Sequence, residues 1–200
     1  MISGLEQRAA RTILSGLGCL LFAAAAMAAP AWTLDTLLGE LATVRTAQAR
    51  FTETRTLSLL DRPLVSSGTL HYQAPARLEK RTDRPKAERL LLDGDTVTVE
   101  RGDPPRQRSF RLDDAPELRA LIEGLRATLA GDRATLERHY RVVLLGDRKQ
   151  WLLSLDPIDA RVRRFVRAIR IDGAGTAVTG VAVDQANGDR SVMDIAPTTR

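Results

Sequence analysis

The sequence predicts a mainly β domain of the α+β class: one long antiparallel sheet that curves and carries helices over its inner side. Three observations predict it. Period-two patterns recur from Phe51 almost to the end of the chain, separated at short intervals by Asp-Gly, Asn-Gly and Pro-containing turns. Two stretches of period 3.6 stand apart from them, one ahead of the first strand and one in the middle. Roughly ten or more strands result, a number at which an open sheet curls or splits. A curled sheet needs a cover for its apolar inner side, and two amphipathic helices can supply it.

Ahead of the domain, Arg8 and Arg11 form a positive segment, Ile13 to Ala26 is apolar, and Ala26-Met27-Ala28 offers a small-x-small cleavage site. Residues 1–28 are expected to be a cleaved export signal, and residues 29–200 a single domain in the periplasm. The apolar run is shorter than the roughly 20 residues needed to span a bilayer. The single cysteine, Cys19, lies within it, so the exported chain would have no disulfide, thiolate metal site or cysteine nucleophile.

Leu34, Leu37, Leu38, Leu41 and Val44 mark the first helix, with Thr33 as N-cap. Strands are expected from Phe51 onward. Leu70 and Tyr72 alternate with Thr69 and His71, and Val97 and Val99 with Thr96 and Thr98. Asp61-Arg62-Pro63, Asp93-Gly94 and Gly102-Asp103-Pro104-Pro105 supply the turns of a meander. The second helix lies within Asp113–Gly131. Asp113 or Asp114 is expected as its cap, Pro116 in its first turn, and Leu118, Leu121, Ile122, Leu125 and Leu129 as its stripe. A short helix around Ala134–Arg138 follows. Five strands close the chain, near Tyr140–Leu145, Gln150–Leu155, Phe165–Ile171, Ala177–Asp184 and Ser191–Ile195.

The formal charge of +5 is a mild surplus, and with 4% aromatic residues the chain offers few stacking platforms, so nucleic acid is not an expected partner. Only His71 and His139 could act as bases near neutral pH without a large pKa shift. No serine-containing nucleophile elbow lies near either, so His71 reads as an outward strand residue and His139 as a helix end. Asp93 and Asp95 could be imagined as metal ligands, but a hairpin turn accounts for Asp93-Gly94. No catalytic or metal site is predicted. Arg161, Arg163, Arg164 and Arg167 form a basic cluster that is either a solvated strand guard or a surface for anionic headgroups or an acidic partner.

Apolar surface is the remaining chemical resource. The inward strand positions Phe51, Leu70, Tyr72, Leu78, Leu92, Val97, Leu153, Leu155, Ile169 and Val181, with Leu118, Leu121, Ile122 and Leu125 of the second helix, either close on each other as core or line a cavity.

A series of short segments bears on that choice. Phe51-Thr52-Glu53 follows the first helix, Gly68-Thr69-Leu70 runs towards Pro75, and Pro85 precedes Leu92-Asp93-Gly94. Leu129-Ala130-Gly131-Asp132, Trp151-Leu152-Leu153-Ser154-Leu155-Asp156-Pro157 and Gly188-Asp189-Arg190-Ser191 come later. None is specific alone. In this order and spacing, over roughly residues 32 to 196, they resemble the periplasmic outer-membrane lipoprotein carrier family, LolA and its relatives.

The resemblance implies an incomplete β-barrel of the LolA/LolB type covered by lid helices, with the fourteen apolar residues lining a cavity for acyl chains. It implies a non-enzymatic, monomeric carrier without cofactor. Its client is a lipoprotein or other acylated lipid, taken from an inner-membrane release complex or exporter and passed to an outer-membrane acceptor. The resemblance leaves alternatives open for this chain: a paralogue carrying a different lipid, such as a glycolipid or polyene-type acyl product, for a dedicated exporter, a lipid-responsive regulator of envelope stress on the same fold, or, rarely, an enzyme of pigment biosynthesis. Two positions depart from the family pattern: Ala74 stands where an arginine contacts the lid, and Lys80 corresponds to a tryptophan. The chain also stops soon after Pro197, without the extension that some members have.

Overall fold

The computed structural model describes residues 32–198. Its elements run α1 (Leu34–Ala42), β1 (Thr46–Thr56), β2 (Leu64–Gln73), β3 (Arg77–Arg84), β4 (Glu88–Asp93), β5 (Thr96–Arg101), β6 (Arg106–Arg111), α2 (Pro116–Ala130), α3 (Arg133–His139), β7 (Tyr140–Gly146), β8 (Trp151–Pro157), β9 (Val166–Ala174), β10 (Ala177–Gln185) and β11 (Arg190–Pro197). The expected export signal lies outside the described residues. Among the described residues, no helix is long and apolar enough to cross a membrane.

All eleven strands join one antiparallel sheet in the order β6-β5-β4-β3-β2-β1-β11-β10-β9-β8-β7. The curved sheet does not close, because β6 and β7 remain its two edges. Directly opposed residues of antiparallel strands share a face. One inner row therefore runs Leu144, Leu153, Ile171, Val181, Met193, Glu53, Ser66 across seven strands. A second runs Tyr72, Leu78, Leu92, Val97, Phe110. The inner face is thus continuous and largely apolar, interrupted by polar side chains such as Glu53, Ser66 and Lys80.

The helices pack on that face. The α1 stripe buries Leu37, Leu38 and Leu41, and Thr33 caps the helix by accepting from the Thr36 amide at 3.2 Å. Gly131 ends α2 in the left-handed conformation (φ 72°), and Asp132 caps α3 by accepting from the Thr135 amide at 2.9 Å.

Two expectations are corrected. Asp113 and Asp114 do not cap α2; they belong to a 3-10 turn over Leu112–Asp114, and Ala115 is the N-cap. The turn forms because Leu112 is buried and its amide donates to the Asp95 carbonyl at 2.9 Å, leaving Asp114 to accept from the Arg111 amide at 3.3 Å. The strands also begin at Thr46, five residues before Phe51, because Ala47 and Ala49 continue the ladder opposite Tyr72 and Leu70.

Candidate functional site

The register places Phe51, Leu70, Tyr72, Leu78, Leu92, Val97, Leu153, Leu155, Ile169 and Val181 on the inner face. They are not gathered into one group. Leu153, Leu155 and Ile169, each fully buried, pack with Trp151, Tyr140 and the stripes of α1 and α3, and Val181 lies at the margin. Leu92 and Val97 pack separately with Leu112 and Ile122, with Leu78 and Phe110 at their margin. Phe51, Leu70 and Tyr72 lie on β1 and β2, in the strip between the two groups.

Helix α2 joins what the sheet separates. Leu118 and Ile122 face the smaller group, whereas Ala120, Leu121, Leu125 and Ala127 face the larger. Side chains four apart share a helix face, so the two sets are two sides of one helix wedged between the halves of the wall. Close approach is permitted by Gly124, where a Cβ would lie 3.1 Å from a Leu155 methyl and 3.4 Å from the Tyr140 ring. The buried Tyr140 hydroxyl donates to the Ala120 carbonyl, and burial holds its pKa well above the usual tyrosine value.

The strip between the groups is polar at one point. The Lys80 ammonium pairs with the Glu53 carboxylate and lies 4.9 Å from the centroid of the Phe51 ring. The hydroxyls of Ser191 and Ser66 donate to Glu53 at 2.7 and 3.4 Å. Burial pushes the Glu53 pKa up, but Lys80, Ser191 and Arg55 outweigh it and hold the carboxyl below its ordinary value. Sequence reasoning missed both charges as parts of this wall. The signal was present, since Glu53 and Lys80 stand two residues beyond Phe51 and Leu78 and so share their face.

Other groups are placed elsewhere. His71 is exposed on the outer face and His139 is exposed at the end of α3. Among the described residues, no three His, Cys, Asp or Glu side chains converge as metal ligands. Two clefts, of about 670 and 530 Å³, lie on the outer face. The first is lined by Arg50, Thr52, Ser67, Thr69 and Asp83, and the second by Gln48, His71, Glu79 and Arg81. Such polar linings suit water and ions better than an acyl chain.

An inner apolar wall bridged by one helix is a geometry for covering something oily. Residues 23–197 match the family model of outer membrane lipoprotein carrier protein LolA-like proteins. The chain belongs to that family. An outer-membrane lipoprotein carrier protein of Methylibium petroleiphilum is 30% identical over 176 residues, covering 86% of this chain and 81% of that protein. Among solved structures, a LolA superfamily protein from Nitrosomonas europaea covers 83% of this chain and 92% of its own at 14% identity, with a TM-score of 0.43. A DUF1329 family protein from Desulfovibrio piger covers 82% and 88% at 11% identity, with a TM-score of 0.46.

Within this LolA-like protein, Lys80 is bonded to Glu53 across the intervening strand β2. Ala74 donates its amide to the Arg45 carbonyl at 2.8 Å.

Proposed function

We propose that the protein is a periplasmic, non-enzymatic carrier that shields the acyl chains of a lipoprotein between the inner wall and α2. It takes them from an inner-membrane release complex and delivers them to an outer-membrane acceptor. The observation that carries this reading is the double membership of α2. The helix closes two otherwise separate apolar groups, so sliding or lifting it exposes a continuous apolar trough beside Phe51, Leu70 and Tyr72. Each methylene kept from water is worth roughly 0.8 kcal/mol, so an acyl chain crosses an aqueous space only under such a cover. The chemistry needed is burial alone, with no cofactor.

A fluorescent fatty acid tests the trough. Leu121, half-buried on α2, is the position to alter, because Leu153 is fully buried and a charge there would unfold the domain. Leu121→Glu is expected to weaken probe binding strongly while the protein still melts cooperatively; unchanged affinity would remove the proposed cavity. Native mass spectrometry of the protein from its own periplasm then identifies the client. A bound lipoprotein is expected, and a small lipid in its place would overturn that part of the reading.

A further inference from the structure

One end of the sheet differs from the other in kind. Strand directions bring the β1–β2, β3–β4, β5–β6, β8–β9 and β10–β11 connections to the same end. Hydrogen bonds tie three of them together. The Asp189 carboxylate accepts from the Ser58 amide and hydroxyl at 2.8 and 2.9 Å, and the Ala186 amide donates to the Phe165 carbonyl at 2.9 Å.

Of the eight large apolar side chains exposed among the described residues, six lie at this end: Leu59, Leu60, Leu64, Val65, Ile158 and Phe165. Leu59, at the tip of the β1–β2 connection, is 94% exposed. Around them stand Arg62 and the Arg161, Arg163, Arg164 and Arg167 cluster. Asp159 holds Arg161, but Arg62, Arg163, Arg164 and Arg167 are exposed and form no ion pair among the described residues. The acidic groups of this end are Asp61, Asp83, Glu88, Asp103, Asp159, Asp184 and Asp189. Of these, Asp189 is taken up by Ser58 and Asn187, Asp159 by Arg161, Glu88 by Arg101, and Asp184 by Arg170 and Arg190. Among the described residues, the opposite end has no such combination. There Asp147 caps its own turn, Arg148 pairs with Glu40 and Asp95 with Arg126.

We infer that this end docks on an anionic lipid surface, with Leu59 and Leu60 entering the interface and the unpaired arginines meeting the headgroups. Charge complementarity selects the occupant. Apolar tips alone would serve a protein partner equally well, and arginines alone would suit any acid, but protruding leucines and free guanidinium groups at one end of the sheet match the layered chemistry of a bilayer surface. This surface is separate from the inner wall and does not depend on the carrier reading, since neither Leu59 nor the arginine cluster lines the trough.

Vesicle flotation tests it, using the protein purified after export. The wild type is expected to float with phosphatidylethanolamine vesicles containing phosphatidylglycerol, and much less with phosphatidylcholine alone. Binding should fall steeply with salt. Leu59→Ser/Leu60→Ser and, separately, Arg163→Ala/Arg164→Ala should each weaken flotation about tenfold or more. All four positions are exposed, so both variants should keep the wild-type circular dichroism. Equal flotation on the two vesicle types, or no loss in the leucine variant, overturns the inference. Binding of an acidic protein but not of phosphatidylglycerol vesicles overturns it too.

Discussion

The ammonium of Lys80 on β3 and the carboxylate of Glu53 on β1 meet on the inner face across β2, and Lys80 also sits over the ring of Phe51. Both side chains are largely withdrawn from water, with relative exposures of 27% and 12%. Lys80→Met leaves a carboxylate in an apolar wall without its cation, and the expected loss at neutral pH is about 2–3 kcal/mol. The wild-type Glu53 carboxyl lies below its ordinary pKa of 4.5, so its contribution is present above that pH and fades as pH falls below it. In the variant, burial is less opposed and the carboxyl titrates higher. The difference between the two proteins should therefore be largest at neutral pH and narrow in acid. Denaturant unfolding at pH 7 and pH 4 checks this, and Glu53→Gln/Lys80→Met should recover most of the loss.

The Tyr140 hydroxyl fastens α2 to the sheet through the Ala120 carbonyl. Tyr140→Phe keeps the ring in place and removes only the donor, at a cost of about 1 kcal/mol. Its main effect should be on motion. If α2 is the cover, stopped-flow mixing with a fluorescent fatty acid should show faster entry than in the wild type, and an unchanged rate would mean that this bond does not restrain the opening.

Two glycines should respond in opposite directions to the same added methyl. At Gly68 a Cβ would lie 1.9 Å from the Arg81 carbonyl oxygen, where β2 and β3 slip register by one residue. Gly68→Ala should force the strands apart and cost about 2–3 kcal/mol. At Gly39, on the exposed side of α1, nothing lies within 4 Å of the added atom. Gly39→Ala should stabilise by up to about 1 kcal/mol through helix propensity. Thermal melts of the two variants make the comparison directly.

The helices and the last five strands were legible because each announces itself locally: Thr33 and Gly131 at helix ends, and long alternations such as that of Trp151–Pro157. Strands β3 and β6 do not. In β6 only Phe110 is apolar on the inner face, beside Arg106 and Arg108, and in β3 Leu78 is followed by Lys80 and Thr82. Their neighbours recruit them by backbone pairing, which leaves little trace in the side chains. The face that each wall residue occupies was likewise readable from alternation. The splitting of the wall was not, because it depends on where α2 lands, and neither was the Glu53 and Lys80 pair, which exists only once β2 separates β1 from β3. The α2 cap failed for a related reason: Leu112, not Asp113 or Asp114, dictates how the chain enters the helix.

That α2 seals both halves of the wall with one set of side chains has an energetic consequence. In the proposed carrier, arriving cargo would exchange one oily cover for another, and on its departure the helix would return to the same seats. The interior would then stay dry in both directions, so loading and unloading would be nearly isoenergetic. A vessel balanced in this way would have no intrinsic preference for full or empty, and the direction of traffic would fall to whatever it meets at each end of the journey.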